Sequence, residues 1–407
     1  MNDSFTLVEW ILRDPDAGFL PKFVGVALVW AAGITGWISF VGLLSIWLER
    51  KISAHIQCRL GPMEVGPHGA LQTVADGVKL LAKEDIIPRD ADRFLFALAP
   101  IIAFAGTVVG FAVVPFGPDL VVADLDIGIY FLSAVGSLEA VGIVAAGWAS
   151  NNKWSLFGAV RAATQVVSYE IPLGLALVTI AVLAGSLSLQ DIVREQHGWL
   201  TNWFLFRNPF VWIAFVVFFI ASLAECKRAP FDLPEAESEL VSGFHTEYTG
   251  MRFAIFFLAE YAQMYVVSAV AAVLFLGGWY TGIAPLDDAI AGSGLLRNLV
   301  GFGVIATKAF LLICVQMWLR WTLPRIRLDQ MMYLCLKVLL PVGMVVLFLS
   351  SLWEGLFPSP AMYRDGAPTG AVSVPGVVFA VLLLGGGAAW VRGVVKKTPS
   401  FRPASQS

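Results

Sequence analysis

The chain has 407 residues, 58% of them hydrophobic and only 14% charged, and its mean hydropathy of +0.76 lies far above that of soluble domains. These values exclude a soluble globular protein and describe a polytopic membrane protein. The net charge of −3 says less than the side on which each charge lies, and nothing in it calls for a nucleic-acid partner.

Apolar runs of roughly 18 residues or more, enough to cross about 30 Å of hydrocarbon at 1.5 Å per residue, recur along the whole chain. About nine spans are expected, near 23–48, 94–116, 127–149, 165–186, 208–225, 251–278, 299–320, 337–357 and 375–392. Helices must form them, because barrel strands alternate and are about half as long. The expected fold class is therefore an all-α membrane helix bundle. "MNDSFTLVEW" lacks a basic leader region and the first span is too long for a signal peptide, so residues 1–22 are expected on the outer surface. Residues 23–357 form the membrane domain, with long loops at 49–93 and 226–250. Residues 358–407 form an extension with a ninth span, interrupted by Gly385, Gly386 and Gly387, and a basic tail.

In the first long loop, "RLGPMEVGPHG" is a turn punctuated by glycine and proline. "GALQTVADGVKLLAKED" then places Leu71, Val74, Val78 and Leu81 on one helical face, with Asp76, Lys79 and Lys83 elsewhere. Such a helix lies in the membrane interface, either as a packing element or as a gate for an apolar ligand arriving from lipid. The second long loop holds "APFDLPEAESEL", in which Pro234 suits the first turn of a helix with Glu235 and Glu237 near its positive end. Dipole compensation accounts for part of that acidity only. Asp232, Glu235, Glu237, Glu239 and Glu247 share the loop with Lys227, Arg228 and Arg252, and the loop begins at Glu225.

Most of the 27 Lys and Arg residues follow spans 1, 3, 5, 7 and 9, whereas the other side keeps Arg13, Lys22, Arg194, Arg207, Arg297 and Arg364. By the positive-inside rule the N-terminus is outside and the long loops are cytoplasmic. Cys58, Cys226, Cys314 and Cys335 are scattered without a paired motif, so no iron–sulfur or zinc site is expected in this chain. His55, His68, His197 and His245 fall in expected loops, which excludes a haem held between spans. No dinucleotide or phosphate-loop motif is present.

What remains is a set of ionisable residues at membrane depth, where a charge is costly unless it faces protein or water. Measured from the cytoplasmic ends of their spans, Glu225 is at the surface and Glu170 roughly 7 Å in. Glu260 and Glu139 lie roughly 14–15 Å deep, near the midplane. Lys308, inside span 7, is positioned to neutralise one of them. Glu139, Glu170, Glu225, Glu260 and Lys308 thus read as a proton path with the acidic loop at its mouth. The structural alternatives are capping near helix ends for Glu225 and Glu170, and ion pairing with Lys308 for Glu139 and Glu260.

The stretches "ERKISAHIQCRLGP", "GPHGALQTVADGVKLLAKED", "GWASNNKWSLFGAVRAATQVVSYE", "ECKRAPFDLPEAESELVSGFHTEYTGMRFAIFFLAEY", "LFLGGW" and "LRWTLPRIRLDQMM" together resemble the H-subunit family of bacterial NADH–quinone oxidoreductases, counterparts of the mitochondrially encoded complex I subunit 1. The resemblance runs from span 1 to span 8. It implies a subunit of the bacterial cytoplasmic (inner) membrane that anchors a peripheral arm and forms the membrane end of a quinone chamber. It also implies partners that carry FMN and iron–sulfur clusters, quinone as substrate, surrounding lipid, and no cofactor bound by this chain itself. Glu139, Glu170, Glu225 and Glu260, with Glu235, Glu237, Glu239 and Glu247, match the family's buried-glutamate path. Glu49, Arg50, Arg59, Arg228, Phe231, Arg320, Arg325, Arg327 and Asp329 match positions around the cavity and the arm junction. In one place the chain departs: "GPMEVGP" puts Met63 and Glu64 where the family usually has Asn and Arg.

Two further readings stand beside this one. The same subunit type serves complexes driven by ferredoxin, hydrogen or other donors, and buried charges alone would also suit a stand-alone secondary transporter. Long loops and the lack of an inverted repeat or paired broken spans speak against the transporter.

Overall fold

In the computed structural model, residues 19–291 and 294–357 are described, with short pieces at 363–364, 367–368 and 377. Nine main helices make up the body: α1 Phe19–Ile56, α2 Gln72–Ala82, α3 Arg93–Val113, α4 Gly128–Ala149, α5 Lys153–Ala184, α6 Val211–Glu225, α7 Gly250–Phe275, α8 Gly294–Thr322 and α9 Leu328–Leu356. Among the described residues seven helices, all of these except α2 and α6, are long and apolar enough to cross a membrane. The expected ninth span lies outside the described residues apart from Val377, as do residues 1–18 of the expected outer segment.

Several boundaries move for local reasons. The apolar part of α5 begins near 165, but the helix starts at Lys153, where the Asn152 side chain accepts from Trp154 N. Asp92 caps α3 in the same way, through Phe94 N and Leu95 N. Helix α9 starts at Leu328 and passes through a π-helical stretch, Tyr333–Leu339, so it is longer than its apolar run. His55 belongs to the last turn of α1 and not to the loop. Beyond the helices, Tyr363–Arg364 and Ala367–Pro368 pair as two short antiparallel strands.

Segments 57–92, 150–152 and 323–327 lie at one end of the bundle, here the loop face, and segment 226–249 folds into the bundle from that end; 114–127, 185–210 and 276–291 lie at the far face. Helix α7 is the axis, buried along nearly its whole length from Ala259 to Phe275, and packs against α1, α3 and α8. Its inner residues join those of α1, α5, α6 and α8 in one apolar core.

Helix α6 decides the architecture of the site. At 15 residues it is shorter than the about 20 that cross a bilayer. The chain after it does not leave the bundle: Cys226, Lys227, Arg228, Phe231, Leu233, Ala236, Leu240, Phe244 and Tyr248 are all buried. Irregular backbone is tolerated at such depth because protein surrounds it. Tyr248 stacks on Phe96 of α3 at 4.0 Å between centroids, and with Phe244 it forms a second apolar cluster between α3, α4, α5 and α7. Gln165 of α5 donates to Ala224 O and Phe231 O. A Cβ on Gly158 of α5 would come within 2.7 Å of Phe244 N and 2.8 Å of Pro234 O, so a glycine is what lets the loop backbone lie against that helix.

Candidate functional site

Glu260 stands ten residues from the loop-face end of α7 and Glu139 ten from that of α4, each roughly 15 Å inside. The loop that follows the short α6 brings cations to that depth. Lys227 Nζ donates to Glu139 Oε1 at 2.5 Å, and Arg228 Nε lies 2.8 Å from Glu260 Oε1. Arg228 also sits over the Tyr261 ring, 4.2 Å from its centroid. Charges at such depth need partners of this quality, because desolvating an unpaired ion costs several kcal/mol.

From Arg228 the chain of charges continues toward the loop face. Arg228 Nη1 is 3.5 Å from Glu49 Oε2, to which Tyr261 Oη donates at 2.6 Å. Arg320 at the end of α8 pairs with the other oxygen of Glu49. Glu49 is thus shared by two arginines and a tyrosine and joins α1, α7, α8 and the loop.

Glu225 is not at the surface, as its place at the end of an apolar run suggested. It accepts from Gln263 Nε2 at 2.8 Å, and a Cβ on Gly136 would lie 3.2 Å from its Oε1. Both partners stand thirteen residues, roughly 20 Å, from the loop-face ends of their helices. Depth counted from an assumed span end misplaced Glu225, because α6 stops in the bundle interior. Glu170 is half-buried on α5. Tyr169 beside it is buried within electrostatic reach of Glu225, Glu139 and Glu170.

Lys308 does not neutralise Glu139 or Glu260. Its ammonium donates to the carbonyls of Leu276, Gly278 and Tyr280 at 2.6–2.9 Å and sits 4.2 Å from the centroid of Trp203. These carbonyls belong to the turn that ends α7, so Lys308 caps a helix C-terminus near the far face, where a cation is favourable.

The outer acids of the loop are tied locally. Asp232 pairs with Arg325 at 3.1 Å, Glu239 with Arg161 at 2.5 Å, and Glu247 accepts from Asn152 at 2.6 Å. The Glu237 side chain lies outside the described ones. Glu235 lies 3.9 Å from His245. Burial, reinforced by Glu260 and Asp232, pushes Glu235 well above the usual carboxylate range, and burial lowers His245 to about 4. His245 is therefore neutral near pH 7.

At the loop face Arg50 bridges α1 to α2 through Asp76 at 2.6 Å. Arg50, Ser53, Arg59, Leu60 and Pro62 border an open cleft. Leu71, at the N-cap of α2, and Val74, Val78 and Leu81 within it are exposed, in the register expected. Phe231 is buried in the core and not at the cleft. Arg59, Arg327 and Asp329 are exposed and enter no ion pair among the described residues. Met63 Sδ lies 3.1 Å from Lys51 Nζ, while Glu64 is exposed. Among the described residues no three of His, Cys, Asp and Glu converge as a metal site requires.

Pattern reading named Lys227 only as a loop cation and missed Tyr261 and Gln263; the three position Glu139, Glu49 and Glu225. Two cations two and three residues after a carboxylate that ends a barely sufficient apolar run were the available signal.

The chain matches the model of a family described as NADH dehydrogenase over residues 29–351. It is similar to the H subunit of the NADH-quinone oxidoreductase of Chlorobaculum tepidum, 50% identical over 359 residues that cover 87% of this chain and 99% of that one. The H subunit from Chlorobium luteolum is 50% identical over 346 residues, 84% of this chain and 92% of its own. That of Anaeromyxobacter dehalogenans is 46% identical over 357 residues, 84% and 86% of the two chains.

Proposed function

Because the chain belongs to the H-subunit family of the NADH-quinone oxidoreductases, respiratory complex I, we propose that it couples quinone reduction, at the junction with a peripheral arm, to proton translocation through its buried glutamates. The support is the run of paired charges from Arg320 at the loop face through Glu49 and Arg228 to Glu260, beside which Lys227 holds Glu139. A quinone reduced to its anion at the loop face would compete with Glu49 for Arg320. Any loss of that contact alters what Arg228 and Tyr261 face, and so reaches Glu260 two ion pairs farther in. Glu170, half-buried at the side of α5, would pass the change toward neighbouring subunits.

On this reading the cleft bordered by Arg50 and Arg59, with the apolar face of α2, forms the membrane end of the quinone chamber. The polar rim receives the head group, and Leu71, Val74, Val78 and Leu81 accept the tail from surrounding lipid. FMN and iron–sulfur clusters belong to partner subunits of the peripheral arm, and the isolated chain is inactive. The loop face is cytoplasmic, the N-terminus outside, and the membrane the bacterial inner membrane. Lys308, as a helix cap, leaves the proton path.

The test is to tag the chain, purify it from native membranes in mild detergent, and assay bound flavin, iron–sulfur signals and NADH-driven quinone reduction. Co-purification of all three supports the reading. Clusters without NADH activity indicate another electron donor, and a lone chain that moves ions in vesicles overturns the reading in favour of a transporter.

A further inference from the structure

We propose that the chain carries a lipid site near its far face: a recess between α1, α3 and α8 that takes one acyl chain of a zwitterionic, ammonium-bearing phospholipid from the leaflet on that side. The site is separate from the loop-face cleft and from the buried charges, and it stands whether or not those charges couple quinone reduction to proton movement.

The recess has a volume of about 300 Å³. Trp30 and Trp37 of α1, Phe111 of α3, Phe302 of α8 and Phe116 from the far-face segment line it, and none of its lining residues is charged. Phe111 stands two residues from the far-face end of α3, and Trp30 and Trp37 are seven residues, roughly 10 Å, apart along α1. The recess therefore lies in the part of the hydrocarbon nearest the far face. Ring contacts fix its walls: Trp37 is 4.7 Å from Phe302 between centroids, and Phe116 is 6.0 Å from Phe302 and 6.3 Å from Phe111. Its roof, residues 116–122, is tied to two helices. Asp119 N donates to Asn298 Oδ1 of α8 at 3.0 Å, and Ala123 N donates to Ala112 O of α3 at 3.0 Å. A space with walls held in this way does not collapse, and left empty it would forfeit contacts on every side.

Three observations name the occupant. The first is access. Gly33 and Gly36 line the recess, both are exposed, and a Cβ on either would meet nothing within 4 Å. This open side is continuous with the membrane-facing surface of α1, where Leu28, Val29 and Phe40 are exposed, so hydrocarbon enters without crossing protein. The second is size. An apolar cavity of roughly 150 Å³ stays dry and holds one benzene ring. This recess has about twice that volume, so one phenylalanine or leucine knob from a partner helix leaves much of it empty, whereas about a dozen carbons of an acyl chain fill it. The third is charge. Beyond Val122 of the roof the chain continues into Asp124 and Asp126, both exposed, while Arg297 of α8 is committed to Asp119. The excess negative charge there favours an ammonium-bearing head group over an anionic one.

The test uses the tagged chain with the subunits that accompany it, stripped of loosely held lipid by detergent exchange. Phosphatidylethanolamine or phosphatidylglycerol, each with a photoactivatable diazirine midway along one acyl chain, is added in small amount, and labelled peptides are identified by mass spectrometry. Phosphatidylethanolamine is expected to label residues 30–37 and Phe302 at least tenfold more than Leu311 and Phe348, which are exposed on α8 and α9 away from the recess. It should also label the recess at least threefold more than phosphatidylglycerol does. Gly33→Leu combined with Gly36→Leu is expected to assemble at wild-type yield, because both added side chains have room, and to lose at least tenfold of the labelling. Equal labelling of recess and controls overturns the site, and labelling that survives the double substitution overturns its placement. Equal yields from the two lipids overturn the head-group preference. An unlabelled recess beside a labelled partner helix shows that another subunit fills it, which overturns the proposal as well.

Discussion

Lys227 and Glu139 meet at 2.5 Å with side chains only 7% and 9% exposed, although one belongs to a loop and the other to the middle of α4. The contact pins the loop roughly 15 Å below the loop face. Removing one partner of such a pair leaves a buried ion uncompensated, at a cost of about 3–5 kcal/mol. Lys227→Met is therefore expected to lower the thermal midpoint of the purified complex sharply. Lys227→Met combined with Glu139→Gln should recover much of that loss. A double variant no more stable than the single one would show that the pair does not hold the loop.

Glu260→Gln removes a charge but keeps the shape, and Arg228 retains Glu49 at 3.5 Å. The complex is expected to assemble normally, while coupled quinone reduction falls at least tenfold. Wild-type turnover and pumping in the assembled variant would make Glu260 a packing element only.

Lys308 holds three carbonyls at the end of α7. Each hydrogen bond to a charged donor is worth about 1.5–3 kcal/mol, so Lys308→Met is expected to reduce the amount of assembled complex. Quinone reduction per assembled complex should stay within about twofold of wild type. Normal assembly with lost pumping would return Lys308 to the proton path.

His245 gives the loop a pH dependence of known sign. Its folded value of about 4 lies below the ordinary 6.5, so between these values the unfolded chain binds the proton and stability falls as pH falls. The difference amounts to about 3 kcal/mol over that window. Glu235, shifted upward, acts with the opposite sign: its folded form holds a proton that the unfolded chain has lost, and stability falls as pH rises above the usual carboxylate range. Thermal midpoints at pH 7.5, 6 and 5 should fall more steeply for wild type than for His245→Gln. Parallel curves would remove His245 from the account.

The sequence by itself determined the membrane class, because apolar run length and composition follow directly from bilayer thickness. It also determined the amphipathic α2, whose exposed Leu71, Val74, Val78 and Leu81 keep the helical register read from their spacing. The family was legible through extended motifs in the loops, above all "RAPFDLPEAESELVSGF". Only the tertiary structure decided where α6 ends relative to its neighbours, since a 15-residue apolar run carries no mark of its depth. That single offset moved Glu225 from the surface to the interior and carried Lys227 and Arg228 to Glu139 and Glu260. It also left Lys308 to the carbonyls of α7. Partners of buried charges lie far apart in the chain, Glu49 and Arg320 most of all, and no local periodicity encodes a pairing that is fixed by how the helices pack.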